Sequence, residues 1–262
     1  QFANYYYVDM GYYPQTLYTG SASLTQVSGE TYTIDGSTCN VYTDGTDKYV
    51  KFTANSTNNN YLDTSNSNYS NYKKYEGDKY YKIESVRWLI LGYGDNTAIA
   101  NSDISVANGV LTLKDTSKGL LVLNEKVLIQ SQFHSSLGNN WSISFLRIFM
   151  NGSNNDGTGV FLNDLFKNGE IKHIKDTNIK TTWYNGSNGN TVFQNVQTTD
   201  KLFLLSCTQK SYNTDNYQAQ QGLKSGSNNA VYNSSYTLLR AKATDLGYAT
   251  GCYRSTNSSY RD

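Results

Sequence analysis

The stretch from Lys79 to Leu91 constrains the fold most, because strict alternation gives way within it to a dense β-branched and aromatic run. Side chains of a strand point to opposite faces at alternate positions, so this pattern predicts a central strand. We expect burial on both faces only from Val86 onward. The turn residues of Gly92-Tyr93-Gly94-Asp95-Asn96 should end the strand, since Gly and Asn tolerate a positive φ.

Composition narrows the class of function. The 262 residues carry a formal net charge of +1 and contain no basic run, whereas nucleic-acid binding normally needs a clustered basic face. We therefore expect no nucleic-acid partner. The 24 Tyr residues combine an apolar ring with a polar tip, which suits half-buried positions and wet contact surfaces. Composition alone favours an exported, β-rich domain.

The chain shows no sign of a membrane span or a metal site. No segment approaches the ~18 consecutive apolar residues of a transmembrane helix. The first residue is Gln1 and no apolar leader follows it, which favours a cleaved signal or a trimmed chain. The three cysteines, Cys39, Cys207 and Cys252, are far apart and lack histidines at ligand spacing. We expect no metal, no cofactor and at least one free thiol.

Short strands and turns dominate the N-terminal third. A short aromatic strand is predicted from Tyr5, stopped by Gly11 and by Pro14. Residues 17–75 are interpreted as a hairpin-rich insertion with turns at Asp35-Gly36 and Asp44-Gly45. Within it, residues 55–71 are nearly all Asn, Ser, Thr and Tyr. That segment is predicted to be a mobile loop or a surface contact, too polar to bury anything.

The second half mixes strands with two helices. Strands are predicted at 108–115, 119–123 and 201–206. Between them, the spacing of apolar residues predicts one helix that Asn140 could cap, and then a second. Their predicted inward residues are Trp141, Phe145, Ile148 and Phe149 in the first helix, and Val160, Phe161, Leu165 and Phe166 in the second. Residues 207–262 are loop-rich, and no linker divides the chain, so we predict a single α+β domain over 1–262.

Five landmarks in order carry a resemblance to a known family. They are Gly11-Tyr12-Tyr13-Pro14-Gln15-Thr16, Val86-Arg87-Trp88-Leu89-Ile90-Leu91, the segment 121–128, the segment 141–151, and Asp200-Lys201-Leu202-Phe203-Leu204-Leu205-Ser206. As a set they resemble a family of mostly uncharacterised bacterial and phage proteins with a C-type-lectin-like fold. The resemblance implies an antiparallel sheet with two helices. Relatives of that fold are surface adhesins and receptor-binding proteins, so it also implies ligand display more than catalysis.

The resemblance stops short at the C-terminal end. Residues 243–249 resemble the stretch that leads, in the family, into a Trp-Trp-Leu-Arg-Ser-Pro strand and display loops, and that part is missing here. We therefore expect an open sheet edge. Either a partner chain or another copy of this chain covers the edge by adding a strand, or the natural protein continues past Asp262.

Candidate sites are few. His134 and His173 lie about forty residues apart, with no nucleophile motif beside either, so we expect no enzymatic activity. Residues 151–159 are rich in oxygen side chains but lack the closing Glu of a calcium loop, which favours a plain turn. Tyr, Arg, Ser and Asn near the C-terminus are typical of adaptable binding surfaces, the alternative being a disordered end. The predicted ligand-binding residues are Tyr248, Tyr253, Arg254, Asn257 and Tyr260.

These observations predict an extracellular, non-enzymatic module at a cell or virion surface that binds a protein or glycan ligand. The alternative is a structural subunit of a self-assembling surface filament or sheath, for which abundant Tyr, Asn and Ser with little net charge would suit broad interfaces. Nine side chains are predicted to form one buried, connected core: Trp88, Leu121, Leu123, Phe145, Phe149, Phe161, Leu165, Phe203 and Leu205.

Overall fold

The computed structural model describes residues 6–94, 99–133, 140–153, 158–167, 169–187, 190–204 and 243–252. The chain divides into two compact units. The smaller contains Gln1–Asp9, Arg87–Glu125 and Leu204–Arg240, and the larger contains Met10–Val86, Lys126–Phe203 and Ala241–Asp262. Whether the chain is the single domain predicted from sequence stays a prediction.

The structure is α+β, as predicted, with a mainly antiparallel sheet and a few short helices. Strands in chain order are β1 (Tyr7–Leu17), β2 (Thr25–Ile34), β3 (Ser37–Thr43), β4 (Lys48–Ala54), β5 (Gly77–Tyr93), β6 (Ile104–Ala107), β7 (Val110–Leu113), β8 (Leu120–Asn124), β9 (Thr177–Ser187) and β10 (Asn190–Asp200). Helices are α1 (Tyr69–Tyr72), α2 (Phe145–Asn151), α3 (Val160–Leu165) and α4 (Asp245–Ala249). No helix of the described residues is long and apolar enough to cross a membrane.

In the larger unit the strand order is β1-β5-β4-β3-β2, with antiparallel pairing from β2 through to β5. The β2–β3 hairpin turns through Asp35 and Gly36, both at positive φ, which is the conformation that Asp-Gly hairpin turns require. The predicted hairpins of residues 17–75 are therefore present. A second antiparallel hairpin, β9–β10, closes with Asn190 opposite Ser187.

In the smaller unit, Trp88–Tyr93 of β5 pairs with β8 in antiparallel register, and β6 pairs with β7. Ile90, Tyr93 and Ile99 form its buried cluster. The predicted central strand is confirmed as β5. Trp88, Leu89 and Ile90 are all buried, which matches the expectation that burial on both faces begins at Val86.

A buried polar network ties α2 to the end of β10 within the larger unit. Arg147 of α2 donates from Nε to Asp200 Oδ1 over 2.8 Å, and Trp141 Nε1 donates to Asp200 Oδ2 over 2.8 Å. Asn151 accepts from the backbone N–H groups of Lys201 and Leu202. Two of the landmark segments thus meet through hydrogen bonds.

The predicted inward face of the first helix is wrong at Phe145 and Ile148, whereas Trp141 is buried as predicted. The α-helix begins only at Phe145, capped by Ser144, whereas Asn140 caps the preceding 3-10 turn at Trp141–Ile143. Because the helix starts four residues later than predicted, Arg147 and Asn151 point inward, and Phe145 and Ile148 are exposed. In α3 the buried residues include Leu162, which the prediction omitted, and Val160 is exposed.

The predicted core is confirmed only in part. Trp88, Leu121 and Leu165 are buried, Phe145 is 48% exposed, and Leu205 lies outside the described residues. The other four are half-buried: Leu123, Phe149, Phe161 and Phe203.

Several segments differ from the predicted secondary structure. The first strand, β1, runs through Gly11 and Pro14, where it was predicted to stop, and β9 and β10 were not predicted. Residues 201–204 are not a strand, because β10 already ends at Asp200. Residues 245–249 form the helix α4 where a loop was expected. Residues 55–71 do bury side chains, namely Asn59 and Leu62, because their 3-10 turn and the nearby α1 pack rather than extend into solvent.

Candidate functional site

The predicted ligand-binding residues fall at the end of the described chain. Tyr248 lies in α4 and is half-buried. Tyr253, Arg254, Asn257 and Tyr260 lie outside the described residues, and so does His134. His173 is exposed on a 3-10 turn. Tyr248 is therefore the predicted residue around which a site can be built.

Tyr248 belongs to a group of four rings, Tyr61, Tyr72, Tyr75 and Tyr248, which we call the tyrosine cluster. Tyr248 stacks on Tyr75 with 5.8 Å between ring centroids and 22° between planes. It also meets the edge of Tyr72 at 5.8 Å, and Tyr61 stacks on Tyr72 at 5.1 Å. Offset and edge-to-face pairs of this kind are favoured by the ring quadrupole. The four rings form one continuous set.

The cluster has a buried layer and a layer that reaches solvent. Tyr72 and Tyr75 are buried, whereas Tyr61 and Tyr248 are half-buried. The segments that carry Tyr61 are polar and exposed at Asn58, Asn60 and Asp63. The buried rings thus support two aromatic surfaces that lie among amide and carboxylate groups.

Asn59 links the chain segment that carries Tyr61 to the helix that carries Tyr248. Its side-chain amide donates to the carbonyl of Tyr248 over 2.7 Å and to that of Ala249 over 3.1 Å. Its side-chain oxygen accepts from the N–H of Tyr61 and caps the 3-10 turn there. A buried amide that satisfies three backbone groups at once holds Tyr61 and Tyr248 in a fixed relationship.

Asp245 holds Tyr75 of the tyrosine cluster in place through a hydrogen bond. Its carboxylate accepts from the Tyr75 hydroxyl over 3.0 Å and from the backbone N–H of Leu17 over 2.9 Å. Burial, and next the negative charge of Asp245, raise the pKa of Tyr75 well above its ordinary value. Tyr75 therefore stays a neutral hydrogen-bond donor at all ordinary pH values.

The backbone of α4 lies close against the backbone at Val127, and this contact fixes the position of the helix. Thr244 caps it, and the Thr244 N–H donates to the carbonyl of Val127 over 2.9 Å. A Cβ atom on Gly247 would lie 2.8 Å from the same carbonyl oxygen. Glycine at 247 is what allows α4, and with it Tyr248, to lie this close to residue 127.

Sequence reasoning missed most of this site. Asn59 and Tyr61 belong to the segment 55–71, whose composition predicted that it was too polar to pack, and Tyr72 and Tyr75 follow directly after it. The helical spacing of Tyr69, Tyr72 and Tyr75 was the available signal. In the described part of the chain, no group of three or more His, Cys, Asp or Glu side chains is placed to hold a metal ion.

Comparison with known proteins gives one match. No curated protein and no solved structure matches the chain significantly. A family model described as a domain of unknown function, DUF6273, matches residues 117–253. The matched region contains α2, α3, β9, β10 and α4, and so both the Arg147–Asp200 network and Tyr248. Because the match spans just over half of its residues, the chain belongs to the DUF6273 family.

Proposed function

We propose that the chain is an extracellular, non-enzymatic module with a C-type-lectin-like fold, and that it binds a ligand on a surface through the tyrosine cluster. The observation that carries the proposal is the position of Tyr248. It is the described member of the predicted binding residues, and its ring and that of Tyr61 both pack against the buried ring of Tyr72.

Of a glycan and a protein ligand, the cluster favours a glycan. Half-buried rings offer flat apolar surfaces at a low cost in side-chain entropy, and the neighbouring amides of Asn58 and Asn60 can donate to and accept from hydroxyl groups. Asn59 and Asp245 fix the rings before any ligand arrives. Such preorganisation reduces the entropy lost on binding.

A glycan array tests this proposal. The wild-type chain, Tyr61→Ala and Tyr248→Ala are compared with Tyr12→Ala, a matched control that removes a ring 51% exposed on β1. We expect wild type and Tyr12→Ala to bind the same glycans, and each cluster variant to bind at least about tenfold more weakly, which corresponds to about 1.4 kcal/mol. Circular dichroism confirms that each variant is folded.

Two results would contradict the proposal. Glycan binding that is equal in all four proteins would place the site elsewhere. Binding to a cell-surface protein, with no glycan bound by any of the four, would favour the protein ligand instead.

The alternative function is a structural subunit of a surface filament or sheath. The observation that favours it is the exposure of Ile143 and Ile148 on and beside α2, because exposed apolar side chains on neighbouring turns can pack against a second copy. Size-exclusion chromatography and negative-stain images separate the two functions. A monodisperse globular particle supports the binding module, and long polymers support the subunit.

A further inference from the structure

A buried carboxyl group lies where α3 meets the β2–β3 hairpin, at Asp164, a place that the proposed binding function does not use. Asp164 is buried, and the backbone N–H groups of Asp35 and Gly36 in the hairpin turn act on its carboxyl group in the direction that favours the ionised form. The Tyr32 hydroxyl of β2 donates towards the carbonyl of Asp164, 2.7 Å away, and that of Tyr12, 2.6 Å away. The main chain of Asp164 thus attaches α3 to the sheet, and its carboxyl group lies under the influence of the hairpin turn.

Two polar atoms in this region are buried without a partner among the described residues: Oδ2 of Asp164 and the hydroxyl of Tyr13. A buried carboxylate oxygen without a hydrogen bond is costly when it carries charge, because it has lost its water and gained nothing. A proton on Oδ2 removes that charge and turns the atom into a donor.

Among the described residues, the groups around Asp164 do not supply a compensating ion pair. The titratable groups that interact electrostatically with Asp164 come from every element packed against it. They are Tyr13 of β1, Tyr32 of β2, Asp35 of the turn, Cys39 of β3, and Lys167 just beyond α3. Lys167 is the cation of this set. Its ammonium group lies 5.3 Å from the centre of the Tyr32 ring and donates to the carbonyl of Asn163. Asp35 adds a second carboxylate of like charge.

We propose that Asp164 is a proton-binding site that works as a pH-sensitive latch between α3 and the β2–β3 hairpin. In the protonated state the neutral carboxyl group tolerates its burial and the latch is closed. In the ionised state the carboxylate is more stable in water than in its buried position, so the contact between α3 and the hairpin turn weakens.

The sign of the effect follows from the direction of the shift. Burial raises the pKa of the Asp164 carboxyl to about 7, against only partial opposition from Lys167. The folded chain then binds more protons than the unfolded chain between the ordinary Asp pKa and about 7. Stability is therefore highest at the acidic end of this window and falls as pH rises through it, by up to about tenfold in the unfolding constant per pH unit.

Urea unfolding of the full chain between pH 5.5 and 8 tests the latch. Asp164→Asn keeps an acceptor for the turn amides and cannot ionise, so the fall in stability with rising pH should be lost in this variant. Asp44→Asn is the matched control. Asp44 also lies in a hairpin turn, but backbone hydrogen bonds, from Asp47 first, lower its pKa to about 2, so its removal should leave the pH profile unchanged over this range.

Carbon-13 titration of the Asp164 carboxyl in the wild-type chain gives a reading that does not depend on any variant. A midpoint near pH 7 supports the latch, and a midpoint below 5 overturns it. The latch is equally overturned if Asp164→Asn keeps the wild-type pH profile, since the proton would then be bound elsewhere, with Asp35 the first group to examine.

Discussion

The guanidinium group of Arg147 and the carboxylate of Asp200 form a buried ion pair with 2.8 Å between Nε and Oδ1. Both oxygens of the Asp200 carboxylate accept hydrogen bonds. Trp141 and Thr198 both donate to the second carboxylate oxygen, and the guanidinium also donates to the carbonyl of Ser142. Burying two charges is costly, and these additional bonds are what make the arrangement stable.

Removing one member of this pair should destabilise the larger unit strongly. Arg147→Met leaves the Asp200 carboxylate buried without its cation, and we expect a loss of about 3–5 kcal/mol in the free energy of unfolding. Lys48→Met is the control, because its pair with Glu30 is exposed and should contribute below about 1 kcal/mol. Urea denaturation measures both, and equal losses would mean that the buried pair is not a main support.

Two apolar residues that the sequence placed in the same core should respond differently to truncation. Leu165→Ala should cost about 2–5 kcal/mol, because that side chain is 0% exposed. Phe145→Ala should cost about 0.5 kcal/mol, as is typical of surface positions, because that ring is 48% exposed. Thermal unfolding of both variants decides the matter. If Phe145→Ala lost more stability than Leu165→Ala, the Phe145 ring would belong to the core, as the sequence predicted.

The contrast shows which parts of the fold the sequence could predict. Burial on both faces of β5 follows from a local run of apolar residues, so it was predictable. The inward face of α2 depends on where the helix begins. Ser144 and Asn140 are both good capping residues, and the choice between them moves the helix start by four residues and turns the buried face from Phe145 to Arg147.

The β9–β10 hairpin and the tyrosine cluster were missed for a different reason. Their segments are rich in Thr, Asn and Tyr and lack the apolar alternation that marks a strand. The order of the tyrosine cluster also comes from contacts distant in sequence, such as the bond from Asn59 to Tyr248 across 189 residues. No local pattern encodes a partner that far away, whereas Tyr248 itself was predicted because its residue type suits a binding surface.

Gly247→Ala should lower stability although alanine normally favours a helix. In an ordinary helix this change stabilises by about 0.5–1 kcal/mol through propensity. At 247 the added Cβ would lie 2.8 Å from the carbonyl oxygen of Val127, so α4 must shift, at a cost of about 1–3 kcal/mol. Chemical denaturation of this variant, compared with wild type, measures the sign. A stabilised variant would show that α4 is not held against residue 127.

Asn59→Ala should loosen α4 more than it lowers global stability. The substitution removes the donor for the carbonyls of Tyr248 and Ala249 and the cap for Tyr61, and a buried carbonyl without a partner costs about 1–3 kcal/mol. Amide hydrogen exchange should therefore speed up in residues 245–250 and around Tyr61, with β3 and β4 unchanged. Asn58→Ala is the neighbouring control, since its side chain is exposed and bonds only within residues 53–58. Faster exchange around residues 245–250 in the control as well would show that the loop as a whole, rather than the Asn59 amide, holds the two halves of the cluster together.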